Sequence, residues 1–137
     1  MKKIKQTGIW LDYNYANIIE LEGEKVTKNT ILSNIETYNL IGGSRSKTPW
    51  GPTEKVSESK HLERRKHQEQ TYYKAIIQAV ENSDELFIMG PAEAKIGLQK
   101  CIEDYKNLDD ILLDVQSVDS ITENQKVAKI KAFFAED

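Results

Sequence analysis

The 137-residue chain has a single cysteine, and no stretch of it approaches the length of a membrane span. A transmembrane helix needs about 20 consecutive apolar residues, and the basic N-terminus is followed by no apolar core of a signal peptide. The lone Cys101 excludes an internal disulfide and is compatible with a reducing compartment. We therefore expect a cytoplasmic protein, and its length suits one domain over residues 1–137 with a core that needs no covalent cross-link.

Histidine is also scarce, which limits the kinds of site that the chain can build. His61 and His67 are six residues apart, so they do not share a helix face as zinc ligands four residues apart would. Cys101 falls on the apolar side of a predicted helix, where a free cysteine typically packs as a small hydrophobe. No serine stands in a nucleophile-elbow pattern. We expect neither a zinc site nor a bound cofactor.

Charge is distributed unevenly along the chain, although the net charge is only −3. Residues 41–70 contain seven Lys or Arg against four Glu, whereas the remainder contains twelve basic and eighteen acidic residues. A local basic patch on an acidic body can bind a polyanion without adhering elsewhere. Charge alone, however, favours the simpler interpretation of a solvated helix face with mixed charges.

Hydrophobic periodicity predicts the element order βββ-α-β-α-β-α. Alternation near the start places Ile9 and Leu11 on one face of a strand and Trp10 on the other. After Glu85, the continuous apolar run 86–89 is typical of a strand buried on both faces. This order predicts an α/β ribonuclease H-like mixed five-stranded sheet with helices packed on it. The predicted strands cover residues 7–12, 15–21, 25–35, 85–89 and 111–118; the predicted helices begin near Glu58, near Pro91 and at a capping box formed by Thr122 and Gln125.

The first predicted helix, over 58–81, is amphipathic mainly in its second half. Its first half has Leu62 as the only clear apolar contact. We expect this helix to dock by its C-terminal turns and to project its basic N-terminal turns beyond the core.

Hydrophobic periodicity is absent from about residue 36 to residue 57, which predicts a long loop. A loop of that length in a compact domain is usually functional or disordered. The adjacent glycines would let the main chain approach a ligand closely, and the basic residues beside them and on the following helix would bind phosphates. Trp50 could pack the loop down or stack on a base. The candidate loop residues are Gly42, Gly43 and Ser44, and the candidate RNA-binding residues are Arg45, Lys47, Lys60, Arg64, Arg65 and Lys66.

Two other functions stay open at this point. Asp12 ends the first strand, where nucleases of the ribonuclease H type place a metal-binding carboxylate, so a divalent-metal-dependent nuclease or hydrolase is one alternative. Glu63 and Asp119 are its possible partners, but their spacing does not select them, and a turn or surface role for Asp12 is the simpler interpretation. The other alternative is a protein-interaction domain whose loop orders on a partner.

Four segments together resemble the central domain of eukaryotic-type class-1 peptide-chain release factors, and of the related Pelota-like and bacterial and archaeal release-factor-like proteins. The segments are Gly42-Gly43-Ser44, residues 62–67, residues 72–75 and residues 86–95. The resemblance implies a ribonuclease H-like fold, a Gly-Gly-Gln loop that enters the peptidyl-transferase centre, and a long basic helix along ribosomal RNA. By position, Gly42 and Gly43 match the two loop glycines. Arg64, Arg65 and Lys66 match the basic helix, and residues 90–95 match the strand-to-helix corner.

The chain departs from that family at one functional position. Ser44 stands where the release factors have the glutamine that positions the hydrolytic water, which implies a module without peptidyl-tRNA hydrolase activity. The length also leaves no room for domains that read a stop codon or recruit a GTPase. The resemblance therefore implies a translation-factor-like module whose partners are ribosomal RNA, tRNA or the ribosome.

Overall fold

Five strands form one mixed sheet in the order β3-β2-β1-β4-β5 in the computed structural model, which describes residues 4–35 and 51–135. The first three strands are an antiparallel meander, whereas β4 runs parallel to β1 and β5 runs parallel to β4. This is the predicted ribonuclease H-like arrangement, with β5 at an edge as the sequence indicated. The strands are β1 (Lys5–Leu11), β2 (Tyr15–Glu22), β3 (Lys25–Leu32), β4 (Glu85–Gly90) and β5 (Leu112–Ser117).

Four helices lie in the described ranges, and they differ from the prediction in three places. The first begins at Gly51 rather than near Glu58, because Pro52 is tolerated in a first helical turn; residues 51–57 are therefore helical and not loop. The second begins at Ala94, after a turn in which Ala92 has φ +54°. The third was not predicted, since six residues are too few to show periodicity. The helices are α1 (Gly51–Val80), α2 (Ala94–Ile102), α3 (Lys106–Ile111) and α4 (Glu123–Ala135).

The sheet is covered on both faces, and β1 contributes alternately to each. Ile9 and Leu11 pack in a cluster with α1 and α2, whereas Trp10 packs in a second cluster with α4. The two-sided cover explains the continuous apolar run of β4, whose residues from Leu86 to Met89 are fully buried. None of the helices within the described ranges is long and apolar enough to span a membrane.

The start of α4 is fixed by the predicted capping box. The backbone N–H of Gln125 donates to Thr122 Oγ1 at 3.1 Å, and the Gln125 side-chain oxygen accepts from the backbone N–H of Thr122 at 2.9 Å. These reciprocal bonds satisfy donors that a helix start otherwise leaves without partners. They place the apolar stripe of α4, with Ile130 and Phe134 buried, against the sheet.

A buried lysine joins α4 to the sheet, which the sequence pattern did not predict. Lys126 is 2% exposed; its Nζ donates to Asn17 Oδ1 at 2.5 Å and lies 3.7 Å from the centroid of the Trp10 ring. Asn17 in turn donates through Nδ2 to Thr30 Oγ1 at 3.0 Å. The hydrogen bond and the cation–π contact together compensate for removing the ammonium group from water. One polar network thus crosses from α4 through β2 to β3.

The C-terminal half of α1 is anchored by two neighbouring tyrosines. Tyr72 and Tyr73 are 2% and 4% exposed, and the Tyr72 hydroxyl donates to the carbonyl oxygen of Asp12 at 2.9 Å. Burial raises the pKa of Tyr72 well above its usual range, with the Asp12 carboxylate adding to the effect. Burial likewise raises the pKa of Tyr73, with the neighbouring Tyr13 contributing.

Gly90 ends β4 at a place where no other residue fits. Its φ is +153°, and a Cβ atom there would lie 2.2 Å from the carbonyl oxygen of Leu11 on the neighbouring strand. Glycine in a strand typically marks such a close approach of two backbones. The close contact that requires glycine at this corner is therefore between two strands, β4 and β1.

We expect Gly90→Ala to lower the free energy of unfolding by about 2 kcal/mol or more, because the new methyl group meets a backbone oxygen that the β-ladder holds in place. Gly23→Ala is the control, since Gly23 has φ +64° in an exposed turn between β2 and β3. Urea unfolding followed by circular dichroism measures both. Equal losses of stability would show that backbone conformation alone, and not the contact with Leu11, requires glycine at position 90.

We also expect stability to fall steeply in alkali. The folded-state pKa values of Tyr72 and Tyr73 lie above the unfolded value of 10.0, so the unfolded chain loses protons first. Stability is intact below pH 10 and decreases above it by about 1.4 kcal/mol per pH unit for each tyrosine. Tyr73→Phe should reduce that steepness by about half. Urea unfolding at a series of pH values tests this, and identical steepness in the variant and the unaltered protein would contradict it.

Candidate nucleic-acid interface

The N-terminal half of α1 extends beyond the sheet. A helix of 30 residues is about 45 Å long, whereas the strands of six to eight residues span about 20–27 Å. Among residues 60 and 62–80 of α1, whose side chains the structure describes, the buried ones begin at Tyr72 and continue to Val80. Leu62 falls on the same side of the helix but is 66% exposed, so the core does not cover the helix at this point. The predicted docking by the C-terminal turns is confirmed.

Arg65 holds α1 where the helix leaves the sheet. Its Nε donates to Glu69 Oε2 at 2.9 Å, one turn further along the helix. Its guanidinium carbon lies 5.0 Å from the centroid of the Tyr13 ring, in the turn between β1 and β2. A guanidinium over an aromatic face is a favourable contact that also fixes direction. The guanidinium of Arg65 is therefore engaged with the body of the molecule, and its contact with RNA stays a prediction.

The solvent-facing side of α1 carries a continuous polar and basic line. Successive residues of an α-helix are about 100° apart around the axis, so residues spaced by three and four stay on one face. Six such residues lie within about 40° of a single line, and every one of them is exposed. This outer stripe of α1 runs for about 27 Å and consists of Lys60, Arg64, His67, Thr71, Lys74 and Gln78.

The outer stripe includes two of the four predicted basic residues of this helix. Lys60 and Arg64 lie on it, whereas Lys66 is exposed about 120° around the axis from Lys60 and Arg65 faces the body. His67 and Lys74 were not predicted. Both could have been found from the sequence, because the spacing of three and four residues that starts at Lys60 and Arg64 continues through them.

Acidic residues do not interrupt the outer stripe. Residues 60–78 contain five Lys or Arg and two Glu. Glu69 is paired with Arg65 on the body-facing side, and Glu63 lies about 60° to one side of the stripe. An exposed face that carries Lys60, Arg64 and Lys74 and no acidic residue suits phosphate groups, which bind chiefly through charge.

The predicted loop residues lie outside the described residues. This holds for Trp50 and for the whole glycine-containing set, which comprises Gly42, Gly43, Ser44, Arg45 and Lys47. Their part in a site therefore stays a prediction. The described site consists of residues on α1 alone.

Asp12 closes the turn between β1 and β2. Its Oδ1 accepts the backbone N–H of Asn14 at 2.8 Å and that of Tyr15 at 3.0 Å. This is the local side-chain bonding typical of aspartate in turns, so the turn interpretation is confirmed. No group of three or more His, Cys, Asp or Glu within residues 4–35 and 51–135 is arranged to hold a metal ion.

Cys101 lies beside α1, on α2, and is half-buried against the core. With Asp104, Gln70 and Tyr105 it lines a small groove of about 220 Å³. Burial raises the pKa of the Cys101 thiol, and the negative charge of Asp104 adds to the effect. The sequence predicted its packing as a small hydrophobe, and the structure adds that one side of it faces the groove.

Comparisons with known proteins identify the fold. No protein-family model matches the sequence, and comparison with curated protein sequences gives no match. Among solved structures, Pelota from Archaeoglobus fulgidus matches 96% of this chain with a TM-score of 0.59 at 11% identity. Pelota from Thermoplasma acidophilum matches 95% with a TM-score of 0.56 at 14% identity. An archaeal translation termination factor matches 93% with a TM-score of 0.51 at 16% identity.

These similarities confirm the predicted Pelota-like and release-factor-like fold. This chain covers 32%, 32% and 34% of the three solved chains, or about a third of their length. It is thus similar in fold to one part of each of those proteins.

We expect Cys101 to react slowly with iodoacetamide at pH 8, because the thiolate is the reacting form and the raised pKa keeps it scarce. Asp104→Asn removes a nearby negative charge, lowers that pKa and should speed the reaction. Glu103→Gln is the matched control, since it removes a charge of the same sign from the adjacent residue. Mass spectrometry of the modified protein over time gives the rates; equal rates in Asp104→Asn and the unaltered protein would contradict the role of Asp104.

Proposed function

We propose that this chain is an RNA-binding module of the translation-factor type, which associates with the ribosome through ribosomal RNA or tRNA. The observation that carries the proposal is the outer stripe of α1, which presents Lys60, Arg64 and Lys74 on one exposed helix face. The fold supports it as well, because the similar solved structures are Pelota and a translation termination factor.

Electrostatics favour a polyanion as the partner of this face. The chain as a whole carries a net charge of −3, so the basic residues of α1 contrast with an acidic remainder. Such an arrangement directs a polyanion to one face and repels it elsewhere. The projection of α1 past the sheet adds reach, since the N-terminal half of the helix can enter a groove that the body could not.

The proposed module does not hydrolyse peptidyl-tRNA. Ser44 replaces the glutamine that release factors place beside their two loop glycines, and serine is too short to hold a water at the same distance. The proposed location is the cytoplasm, where ribosomes and their RNA are available. We propose that RNA contacts Lys66 as well as the outer stripe, and also Arg45 and Lys47 in the segment before α1.

The divalent-metal alternative receives no support from Asp12. Two backbone N–H groups bind its Oδ1, and its carbonyl oxygen accepts from Tyr72. A protein partner on α1 remains a distinct alternative, and charge reversal along the helix separates it from RNA.

Charge reversal along the outer stripe tests the proposal. The triple variant Lys60→Glu, Arg64→Glu, Lys74→Glu should bind ribosomes at least about tenfold more weakly at low salt, because each reversal removes a cation that binds a phosphate. The dependence of the binding constant on salt should also become shallower, by about one unit of logarithmic slope for each phosphate that the variant no longer binds. Co-sedimentation with ribosomes between about 50 and 200 mM salt measures both quantities.

The matched control reverses three exposed lysines elsewhere, with Lys25→Glu, Lys129→Glu and Lys131→Glu. It changes the net charge equally and should retain most of the binding. Equal weakening in the two triple variants would show that net charge rather than the outer stripe governs association. Failure of the unaltered protein to bind ribosomes or RNA at low salt would overturn the proposal. If a protein partner binds the control variant but not the outer-stripe variant, the protein-interaction alternative is favoured.

A further inference from the structure

The outer stripe of α1 leads into a groove at its C-terminal end. Lys74 and Gln78 belong to the stripe, and they also form one wall of a groove of about 520 Å³ between α1 and the chain that runs from Tyr105 into the first turn of α3. The opposite wall is formed by Tyr105 and Lys106. The smaller groove beside Cys101 shares Lys74 and Tyr105 with it, so the two grooves are neighbours along the same side of the helix.

The groove combines an apolar floor, an aromatic wall and a charged rim. Its floor is apolar, since Ile77 and Leu108 are buried beneath it. Its wall holds an aromatic ring, and Tyr105 is 41% exposed although an aromatic side chain is costly to leave in water. Its rim carries both signs of charge, with Lys74 and Lys106 as donors and Glu81 as an acceptor.

We infer that the groove takes an unpaired nucleobase of the bound RNA, stacked on Tyr105, while the flanking phosphates contact Lys74 and Lys106. This inference rests on the proposed function, because it assigns the bound RNA a single-stranded segment at the end of the outer stripe. Base stacking on an exposed aromatic ring beside a basic track is how proteins commonly hold single strands.

A nucleobase fits this groove better than a phosphate would. Glu81, and Asp104 in the adjoining groove, would repel a phosphate, but their carboxylates can accept hydrogen bonds from the amino groups at a base edge. The apolar floor at Ile77 and Leu108 matches the flat face of a base and offers nothing to an anion. The lysines on the rim lie where the backbone on either side of that base would pass.

RNA binding then has two contributions that respond differently to salt. Contacts between the outer stripe and phosphates depend on salt and are available to duplex and single-stranded RNA alike. Stacking on Tyr105 requires a base that is free of its partner, and it varies little with salt because no ion is released. The chain should therefore prefer single-stranded RNA to a duplex of the same sequence.

Tyr105→Ala tests this with two probes, a fluorescently labelled oligoadenylate of about ten nucleotides and the same strand annealed to its complement. Fluorescence anisotropy should show the unaltered protein binding the single strand more tightly. Tyr105→Ala should weaken single-strand binding by about fivefold or more, equally at low and moderate salt, and should leave duplex binding unchanged. Tyr105→Phe, which keeps the ring, should bind as the unaltered protein does.

Leu113→Ala is the matched control, because Leu113 is 44% exposed on the edge strand β5 and its truncation removes similar surface. If Tyr105→Ala weakens binding of both probes equally, or of neither, the base-stacking inference is overturned. The proposed function still stands in that case if the triple stripe variant binds RNA more weakly than the unaltered protein. If the unaltered protein binds neither probe and the triple stripe variant behaves identically, the proposed function is overturned together with it.

Discussion

The hydrogen bond from the Tyr72 hydroxyl to the Asp12 carbonyl oxygen determines how α1 lies on the sheet. The same aspartate closes the turn between β1 and β2 with its carboxylate, so the helix is tied to a point that is already fixed. Tyr73 stacks beside Tyr72, with ring centroids 5.7 Å apart, and Arg65 adds a contact to Tyr13 about two helical turns earlier. These contacts aim the basic half of α1 away from the sheet and keep its outer face in solvent.

Much of this architecture could be predicted from local patterns. The alternation of Ile9, Trp10 and Leu11 predicted that Trp10 lies on the opposite face of the strand from the other two, and it packs in a separate cluster. The apolar run of β4 and the capping box of α4 were equally direct. The start of α1 and the short helix α3 could not be predicted, because a proline near Gly51 is compatible with both loop and helix, and six residues show no period.

The candidate site was less accessible from sequence, for geometric reasons. A count of positive charge treats Arg64, Arg65 and Lys66 alike, but three consecutive helical residues point about 100° apart and only the first lies on the outer stripe. The groove is formed by residues near 77 and residues near 105, which the fold brings together and no local pattern connects. The sequence was enough to predict that this helix forms the interface. Identifying which face of the helix is exposed, and which residues lie next to it, required the three-dimensional structure.

Lys126 on α4 has a consequence for the order in which the molecule assembles. Its partner Asn17 is 109 residues away in sequence, and contacts of such long range form slowly because a large loop must close first. During synthesis the layer containing Trp10 and Phe87 cannot be covered by Ile130 and Phe134 before α4 has been made. Completion of this second core also requires one hydrophilic side chain, Lys126, to be placed against an indole ring.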